Sequence, residues 1–330
     1  MLVTGGAGYI GSHFVKEAVK VEEVLVLDNL STGHEQAIDP SAIFIKGDVR
    51  NSSLLNHLMK FYPIDAVVHF AGKSNVVESA RFPHIYYEEN VQGMIALLSA
   101  MYQQRVRTII FSSTAAVYGN EYVRPFDEMD EVRPTTAYGQ SKYFMEQMVA
   151  DYCKCYGMNS IAFRYFNAAG AHKSGDIGEC HAEETHVIPI LLKHLLGETP
   201  AFFMNGQNYE TPDGTCIRDF IHVEDIANAH LLALQLLRSQ VGYCEIFNLG
   251  TGKGYSIKDL IQLSEQITGC PSNVLSKDRR AGDPAILIAN ADKARTLLGW
   301  EPTYSIEKII ESAWAWHSKK EKAFVRDGAT

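Results

Sequence analysis

Short apolar runs recur along the first half of the chain, at 1–4, 24–27, 42–45, 66–70, 108–111 and 160–163. Each is apolar throughout rather than at every second position, which is how strands read when both of their faces are buried, and such strands belong to parallel sheets. Between them, the stretches 12–20, 51–60, 90–102 and 139–156 have the length and composition of helices. The alternation predicts an α/β fold: a Rossmann-like parallel sheet with helices on both faces.

After about residue 167 the rhythm breaks into a polar, glycine-containing stretch to 185, a helix over 187–196 and a loop through 214. A strand at 217–223 and a helix at 225–237 follow, then an amphipathic helix at 305–316 and a charged segment at 319–322. This pattern predicts a smaller C-terminal α/β domain interleaved with the first. Residues 1–170 form the first domain, with 217–240 returning to it, and 171–216 and 241–330 form most of the second. No internal repeat or low-complexity linker interrupts either part.

Composition narrows the function classes. The 330 residues are 46% hydrophobic, which suits a folded chain, and the length suits two domains. A net charge of -9 and the lack of any run of four Lys or Arg argue against a nucleic-acid partner. No stretch approaches the roughly 20 apolar residues of a membrane span, and no basic leader opens the chain, so no membrane partner and a cytoplasmic location are expected. Six cysteines (Cys153, Cys155, Cys180, Cys216, Cys244 and Cys270) are few for this length and read as reduced thiols.

Gly5, Gly8 and Gly11 form G-x-x-G-x-x-G directly after the first strand. Glycines at this spacing allow a tight turn, close approach of backbone to a pyrophosphate and close contact of helix and sheet. The free amides of the following helix then point at the phosphates. Asp28 ends the second strand 17 residues beyond Gly11, where a carboxylate can accept hydrogen bonds from an adenosine ribose. Asn29 and Leu30 follow it, with no arginine to hold a 2'-phosphate, so the expected cofactor is NAD rather than NADP. Asp48, after the third strand, is a candidate for the adenine end.

Tyr138 and Lys142 are four apart at the start of a helical stretch and share a face. Tyrosine is a poor base at its free pKa near 10, and an ammonium one turn away beside an oxidised nicotinamide favours the phenolate. Ser112, Ser113 and Thr114 end the fifth apolar run, where strands of such a sheet open into the ligand crevice. Thr114 can bridge a substrate oxygen and Tyr138, although hydroxyls there can also simply cap the next segment.

Around these segments stand Arg164-Tyr165-Phe166-Asn167, Gly170-Ala171-His172 with Ser174-Gly175-Asp176, Asp213-Gly214-Thr215 with Arg218-Asp219, and Gly282-Asp283 after Arg279-Arg280. Together with the opening segment 3–13, they resemble the extended branch of the short-chain dehydrogenase/reductase superfamily, and within it the nucleotide-sugar 4-epimerases, from residue 1 to about residue 300. The resemblance implies that Gly5, Gly8, Tyr9, Ile10, Gly11, Asp28, Asn29, Asp48, Val49, Phe70, Ala71, Gly72, Asn90, Ser112, Tyr138, Lys142 and Tyr165 surround a tightly retained NAD. It implies that Thr114, Tyr138, Asn167, His186, Val187, Arg218, Arg280, Asp283 and Leu287 meet a UDP-hexose, with the two arginines forking to the diphosphate. It also implies a homodimer packed through helices of the first domain. The implied reaction is reversible inversion of C4 in UDP-glucose and UDP-galactose, by way of a transient 4-keto sugar, with Tyr138, Lys142 and Thr114 as catalytic residues.

Departures from that pattern bear on specificity. Lys73 sits one position early after Gly72, and His186 stands where relatives use asparagine. Phe220 replaces a tyrosine, and Leu287 stands where a larger tyrosine can line the sugar pocket, leaving room for an N-acetyl group. Ala115-Ala116 replaces the Asp-Glu pair of dehydratases, which disfavours elimination of water. A UDP-uronate 4-epimerase remains the rival enzyme, and a non-catalytic NAD-binding sensor or scaffold the rival of another class. Cys180, His181, Glu183 and His186 match no metal-ligand spacing, so no metal is expected.

Overall fold

The computed structural model describes residues 1–119, 124–280 and 282–319. Residues 320–322 of the charged segment, and the end of the second domain beyond them, lie outside the described residues. The first half alternates as the apolar runs predict: β1 (Leu2–Thr4), α1 (Tyr9–Ala18), β2 (Leu25–Asp28), β3 (Ile43–Lys46), α2 (Ser52–Phe61) and β4 (Ala66–His69). Two short helices, α3 (Val76–Arg81) and α4 (Pro83–Tyr86), lead through a π-helical turn into α5 (Gly93–Gln104). Then come β5 (Thr108–Thr114), α6 (Ala137–Tyr156) and β6 (Asn159–Tyr165).

The strands are apolar throughout because successive residues enter two different cores. Val3, Val26, Val68 and Ile110 pack with Phe14 and Val15 of α1. Leu2, Leu25, Val67 and Ile109 pack with Leu55 of α2, Leu97 of α5 and Met145 of α6. Each such side chain contributes about 1.5–3 kcal/mol on full burial, so a polar residue at either parity would cost the sheet one face.

The second half contains β7 (Asn167–Ala169), α7 (Val187–Leu195), β8 (Phe202–Asn205), β9 (Ile217–His222), α8 (Val223–Arg238) and β10 (Cys244–Leu249). It ends with β11 (Gly254–Ser256), α9 (Ile257–Thr268), β12 (Val274–Lys277), β13 (Ile286–Leu287) and α10 (Ile306–His317). The main sheet has seven parallel strands in the order β10-β6-β5-β4-β1-β2-β3. A smaller sheet gathers β7, β9, β11 and β13, and β8 pairs with β12.

The interleaving differs in detail from the sequence reading. Helix α8 does return to the first domain, where Ile226, Ala227 and Leu234 share the core of α1. Strand β9 does not, because it joins β7, β11 and β13 in the smaller sheet. Strand β10, assigned by sequence to the second domain, instead closes the main sheet beside β6, in register from Cys244 opposite Ser160 to Leu249 opposite Tyr165. A parallel strand needs a long crossover, and α8 supplies it.

The order in which strands are added to the main sheet reverses between β1 and β4, the place where open α/β sheets form a ligand crevice. Gly5 follows β1 there with φ +75, and a Cβ on it would stand 2.4 Å from the Ala71 nitrogen after β4. Only glycine lets these two strand ends approach so closely.

Candidate active site

One cavity of about 810 Å³ runs from the glycine turn, past the ends of β4 and β5, to the second domain. At its first end the backbone is shaped for a ligand. A Cβ on Gly11 would stand 2.1 Å from the Gly5 oxygen, so this glycine holds α1 against the turn. Gly8 is different. It lines the cavity, and a Cβ there would meet only the Gly5 oxygen, at 3.4 Å. The protein leaves that space open, as a cradle for a phosphate requires. Gly8 also begins α1 without a side-chain cap or an acidic residue in the first turn, so the helix N-terminus keeps amides for an anion.

Asp28 is buried at the end of β2, where its two oxygens accept the Ala7 and Leu30 amides at 3.0 and 2.8 Å. Burial raises its pKa and these two amides draw it back down. Leu30, with φ 59, is a non-glycine residue in the left-handed region, held there beside the Asp28 carboxylate. Asn29 donates to Asp48 at 3.1 Å, and Arg50 grips the same Asp48 through two nitrogens at 2.9 and 2.7 Å. Asp48 is therefore committed to Arg50 and Asn29, while Gly47 and Val49 on either side of it line the cavity.

Tyr9, Ile10, Phe70, Ala71, Gly72 and Ser112 also line it. Asn90 does not. Its amide is spent on the Lys73 amide and carbonyl and on Ser141 Oγ, pinning the 72–73 loop to α6. Tyr165 lines the cavity, but its hydroxyl meets His230 Nε2 at 2.8 Å behind it.

Thr136 caps α6 by accepting the Gly139 amide, which sets Tyr138 in the first turn and Lys142 one turn later. Both line the cavity beside Thr114, at the end of β5. Lys142, expected to favour the Tyr138 phenolate through its charge, holds its ammonium on the end of β5. Lys142 Nζ donates to the Ser112 carbonyl at 2.9 Å and to its hydroxyl at 3.1 Å. Burial lowers the Lys142 pKa to about 8. Burial likewise raises Tyr138, and a hydrogen bond with Thr114 draws it back down. In the protein alone burial wins, so the phenolate needs a further positive charge. His69, at the end of β4, is neutral, lowered to about 3 by burial and by Lys142, and accepts or donates a 2.6 Å bond with Thr4 Oγ1.

The far end belongs to the second domain. Asn167 lines the cavity, and its buried Oδ1 has no hydrogen-bond partner among the described residues, so it can accept from a ligand donor. His186 caps α7 without a side-chain bond to the helix, and with Val187 presents a second uncapped helix start to the cavity. Arg218 is buried and already forks, through one nitrogen, to Asp283 at 2.6 Å and the Pro284 carbonyl at 2.7 Å. Asp283 also accepts the Tyr209 hydroxyl at 2.7 Å. Arg280, in contrast, makes no side-chain hydrogen bond or ion pair among the described residues, and Leu287 lines the wall nearby.

Sequence reasoning passed over part of this wall. Phe202, Phe203, Met204 and Asn205 of β8 line the cavity, as do Cys216, His181 and Thr185. Phe203 is 43% exposed, with Lys277 Nζ 3.7 Å from its ring centre. The adjacent aromatics of 202–203, within an apolar run, were the available signal for a strand there.

A model of the NAD dependent epimerase/dehydratase family matches residues 1–250. The UDP-glucose 4-epimerase of Halalkalibacterium halodurans is 48% identical over 321 residues, 97% of this chain and 96% of that protein. The crystal structure of UDP-glucose 4-epimerase from Brucella ovis in complex with NAD is similar with a TM-score of 0.91 and 42% identity, over 96% of this chain and 97% of that one. The Bifidobacterium longum UDP-glucose 4-epimerase in complex with NAD+ and UDP has a TM-score of 0.92 and 35% identity, over 98% and 99% of the two chains.

Proposed function

The chain belongs to the NAD dependent epimerase/dehydratase family, and on that premise we propose that it interconverts UDP-glucose and UDP-galactose by inverting C4 of the hexose. The observation that carries the reading is the single cavity in which a glycine cradle, Tyr138 with Thr114, and the start of α7 lie in sequence. The open space at Gly8, the uncapped start of α1 and the Asp28 carboxylate fit NAD.

The hydrogen on C4 is not acidic, so inversion must proceed through oxidation. Bound NAD supplies an acceptor, then a donor, of the C4 hydride, together with a positive charge beside Tyr138. Tyr138 as phenolate takes the O4 proton while Thr114 aligns that hydroxyl. After the planar 4-keto sugar has turned its other face, Tyr138 returns the proton, acting as base and then acid. Lys142, anchored on Ser112, contributes charge rather than accepting the proton. Asn167, His186, Val187, Arg218 and Arg280 hold the uridine diphosphate, with Asp283 fixing the Arg218 fork, and Phe203 offers an aromatic face to the base. Holding the nucleotide and leaving the sugar loosely held gives affinity without blocking rotation.

A leucine at 287 occupies less of the wall than a tyrosine would, which supports some turnover of UDP-N-acetylhexosamines as well. The protein is a homodimer and works in the cytoplasm. Exposed Tyr87, Ile95 and Tyr102 on one side and Phe144 and Tyr156 of α6 on the other form an apolar face, with the Tyr102 and Tyr156 rings 4.4 Å apart, which supports pairing through these helices. No disulfide joins the six cysteines, as a reducing compartment ensures.

The test is incubation of purified protein, without added cofactor, with UDP-galactose deuterated at C4. The expected product is UDP-glucose that keeps its deuterium. Product carrying solvent hydrogen at C4, or turnover only of UDP-galacturonate in a parallel reaction, would overturn the reading.

A further inference from the structure

We propose that Glu179, His181, Glu184 and His186 bind one divalent transition-metal cation, of the zinc class, at the wall of the substrate cavity. The four ligands fall within eight residues of the loop that leads into α7. One donor atom from each lies within 4.8 Å of all the others. His181 Nδ1 stands 3.4 Å from Glu179 Oε1 and 3.4 Å from Glu184 Oε1. A tetrahedral ion with bonds of about 2.0–2.1 Å sets its ligands roughly 3.3–3.4 Å apart. A charge-assisted hydrogen bond would instead draw the same atoms to about 2.7–2.9 Å.

A second observation concerns burial. The Glu179 and Glu184 side chains are 3% and 5% exposed, and Glu184 Oε2 is buried with no hydrogen-bond partner. Two carboxylates removed from water need two positive charges. Two imidazolium rings can supply them, and so can one divalent ion that displaces the imidazole protons; the ion also offers a partner to Glu184 Oε2, which has none among the described residues.

The scaffold is already braced. Trp316 Nε1 donates to the Glu179 carbonyl at 2.9 Å, and the Thr185 and His186 amides donate to Glu184 Oε1 at 2.9 and 3.1 Å. His186 must move. Its Nδ1 contacts Glu179 more closely than a shared ion allows, and its ring, 48% exposed, has room to swing outward.

Four protein ligands leave no open position, so this is a structural ion rather than a Lewis acid for the reaction. It has one consequence for the cavity. An imidazole held through Nδ1 keeps its proton on Nε2, so the ion fixes His186, which lines the cavity, as a hydrogen-bond donor. The sequence spacing of Cys180, His181, Glu183 and His186 matches no metal site, and the proposed set differs from it in two members. Cys180 sends its carbonyl to His34, Glu183 is exposed, and Glu179 and Glu184 take their places.

The readout is metal content and does not depend on the reaction proposed above. The full-length protein, stripped with a chelator, is titrated with Co2+ and then with Zn2+. The expected result is one Co2+ per chain with the visible absorption of a four-coordinate ion, no thiolate-to-metal band, and displacement by Zn2+. His181→Gln and Glu184→Gln should each weaken uptake by at least the roughly 10- to 100-fold typical of a lost supporting group, with far-UV circular dichroism and bound NAD unchanged. Glu184→Gln keeps the acceptor for both amides, so it tests the ion without loosening the loop. Failure of wild-type protein to take up one ion per chain, a thiolate band, or uptake unaltered in Glu184→Gln would overturn the proposal.

Discussion

Gly8→Ala separates the cofactor cradle from the fold. Gly8 has φ -76 and ψ 173, which alanine adopts without strain, and the added Cβ comes no nearer than 3.4 Å to protein, at the Gly5 oxygen. The folding cost is then confined to the preference for glycine over alanine at a helix start, about 1 kcal/mol. The methyl enters open cavity at the start of α1, where it holds a pyrophosphate away from the helix amides. Losing two charge-assisted hydrogen bonds at about 1.5–3 kcal/mol each removes about 3–6 kcal/mol. That is roughly 10²- to 10⁴-fold in affinity. Gly11→Ala is the opposite case, because its Cβ would lie 2.1 Å from the Gly5 oxygen and 3.0 Å from the Gly6 Cα, both backbone. Helix α1 must shift, at a cost of about 3 kcal/mol or more. The assay is nucleotide extracted per chain, read beside the thermal midpoint. Gly8→Ala should lose NAD and lower its cofactor-free midpoint by only about 2–4 °C, whereas Gly11→Ala should lose NAD and lower the midpoint further. One NAD per chain retained in Gly8→Ala would refute the assignment of this glycine.

Tyr138→Phe should lower turnover about 10²- to 10⁴-fold while leaving UDP affinity, measured by calorimetry, within about twofold; unimpaired turnover would remove Tyr138 from the chemistry. Glu146 and Arg164 form an ion pair with both side chains 3% exposed, so Arg164→Met should cost about 3–5 kcal/mol in urea unfolding, and adding Glu146→Leu should restore most of it. A single-variant loss below about 1 kcal/mol would contradict that account. Burial holds His13, His69 and His222 at about 3 and His230 at about 4, below the unfolded value of 6.5. Below pH 6.5 the unfolded chain therefore binds more protons, and stability falls with acidification by up to about 1.4 kcal/mol per pH unit for each histidine. Urea midpoints that stay level from pH 7 to pH 5 would exclude this. Ile95→Arg, on the exposed apolar face, should convert dimer to monomer in sedimentation with the fold retained, and an unchanged sedimentation coefficient would place the contact elsewhere.

Strands β1, β2, β4, β5 and β6 were legible because each is buried on both faces, and an apolar run is the direct trace of that; β3, at the sheet edge, is partly exposed yet keeps the run Ile43-Phe44-Ile45. Helix α9 was passed over although Ser256 and Asp259 form a capping box and Gly269 closes its end in the left-handed conformation, all signals within the sequence. Strands β7, β11 and β13 have three, three and two residues, too few for any period to register. In the site, the glycine turn and the Tyr138–Lys142 spacing could be read because both are local, fixed by one turn or one helix. Phe203, Cys216 and His181 could not, since nothing near them in the chain tells which will face the cavity.

The chain by itself determined whatever depends on neighbours within a few residues. That covers the parallel α/β class, the cradle at Gly5, Gly8 and Gly11, and the shared face of Tyr138 and Lys142. Tertiary structure alone decided whatever depends on partners far along the chain. It anchored the Lys142 ammonium on Ser112, drew Asn90 into supporting a loop, and sent β9 to the smaller sheet and β10 to the main one. It also brought Glu179 and Glu184 beside His181 and His186. The physical reason is range: backbone geometry and helical periodicity act over a few residues, whereas burial and hydrogen-bond pairing are settled by which distant segments arrive in contact.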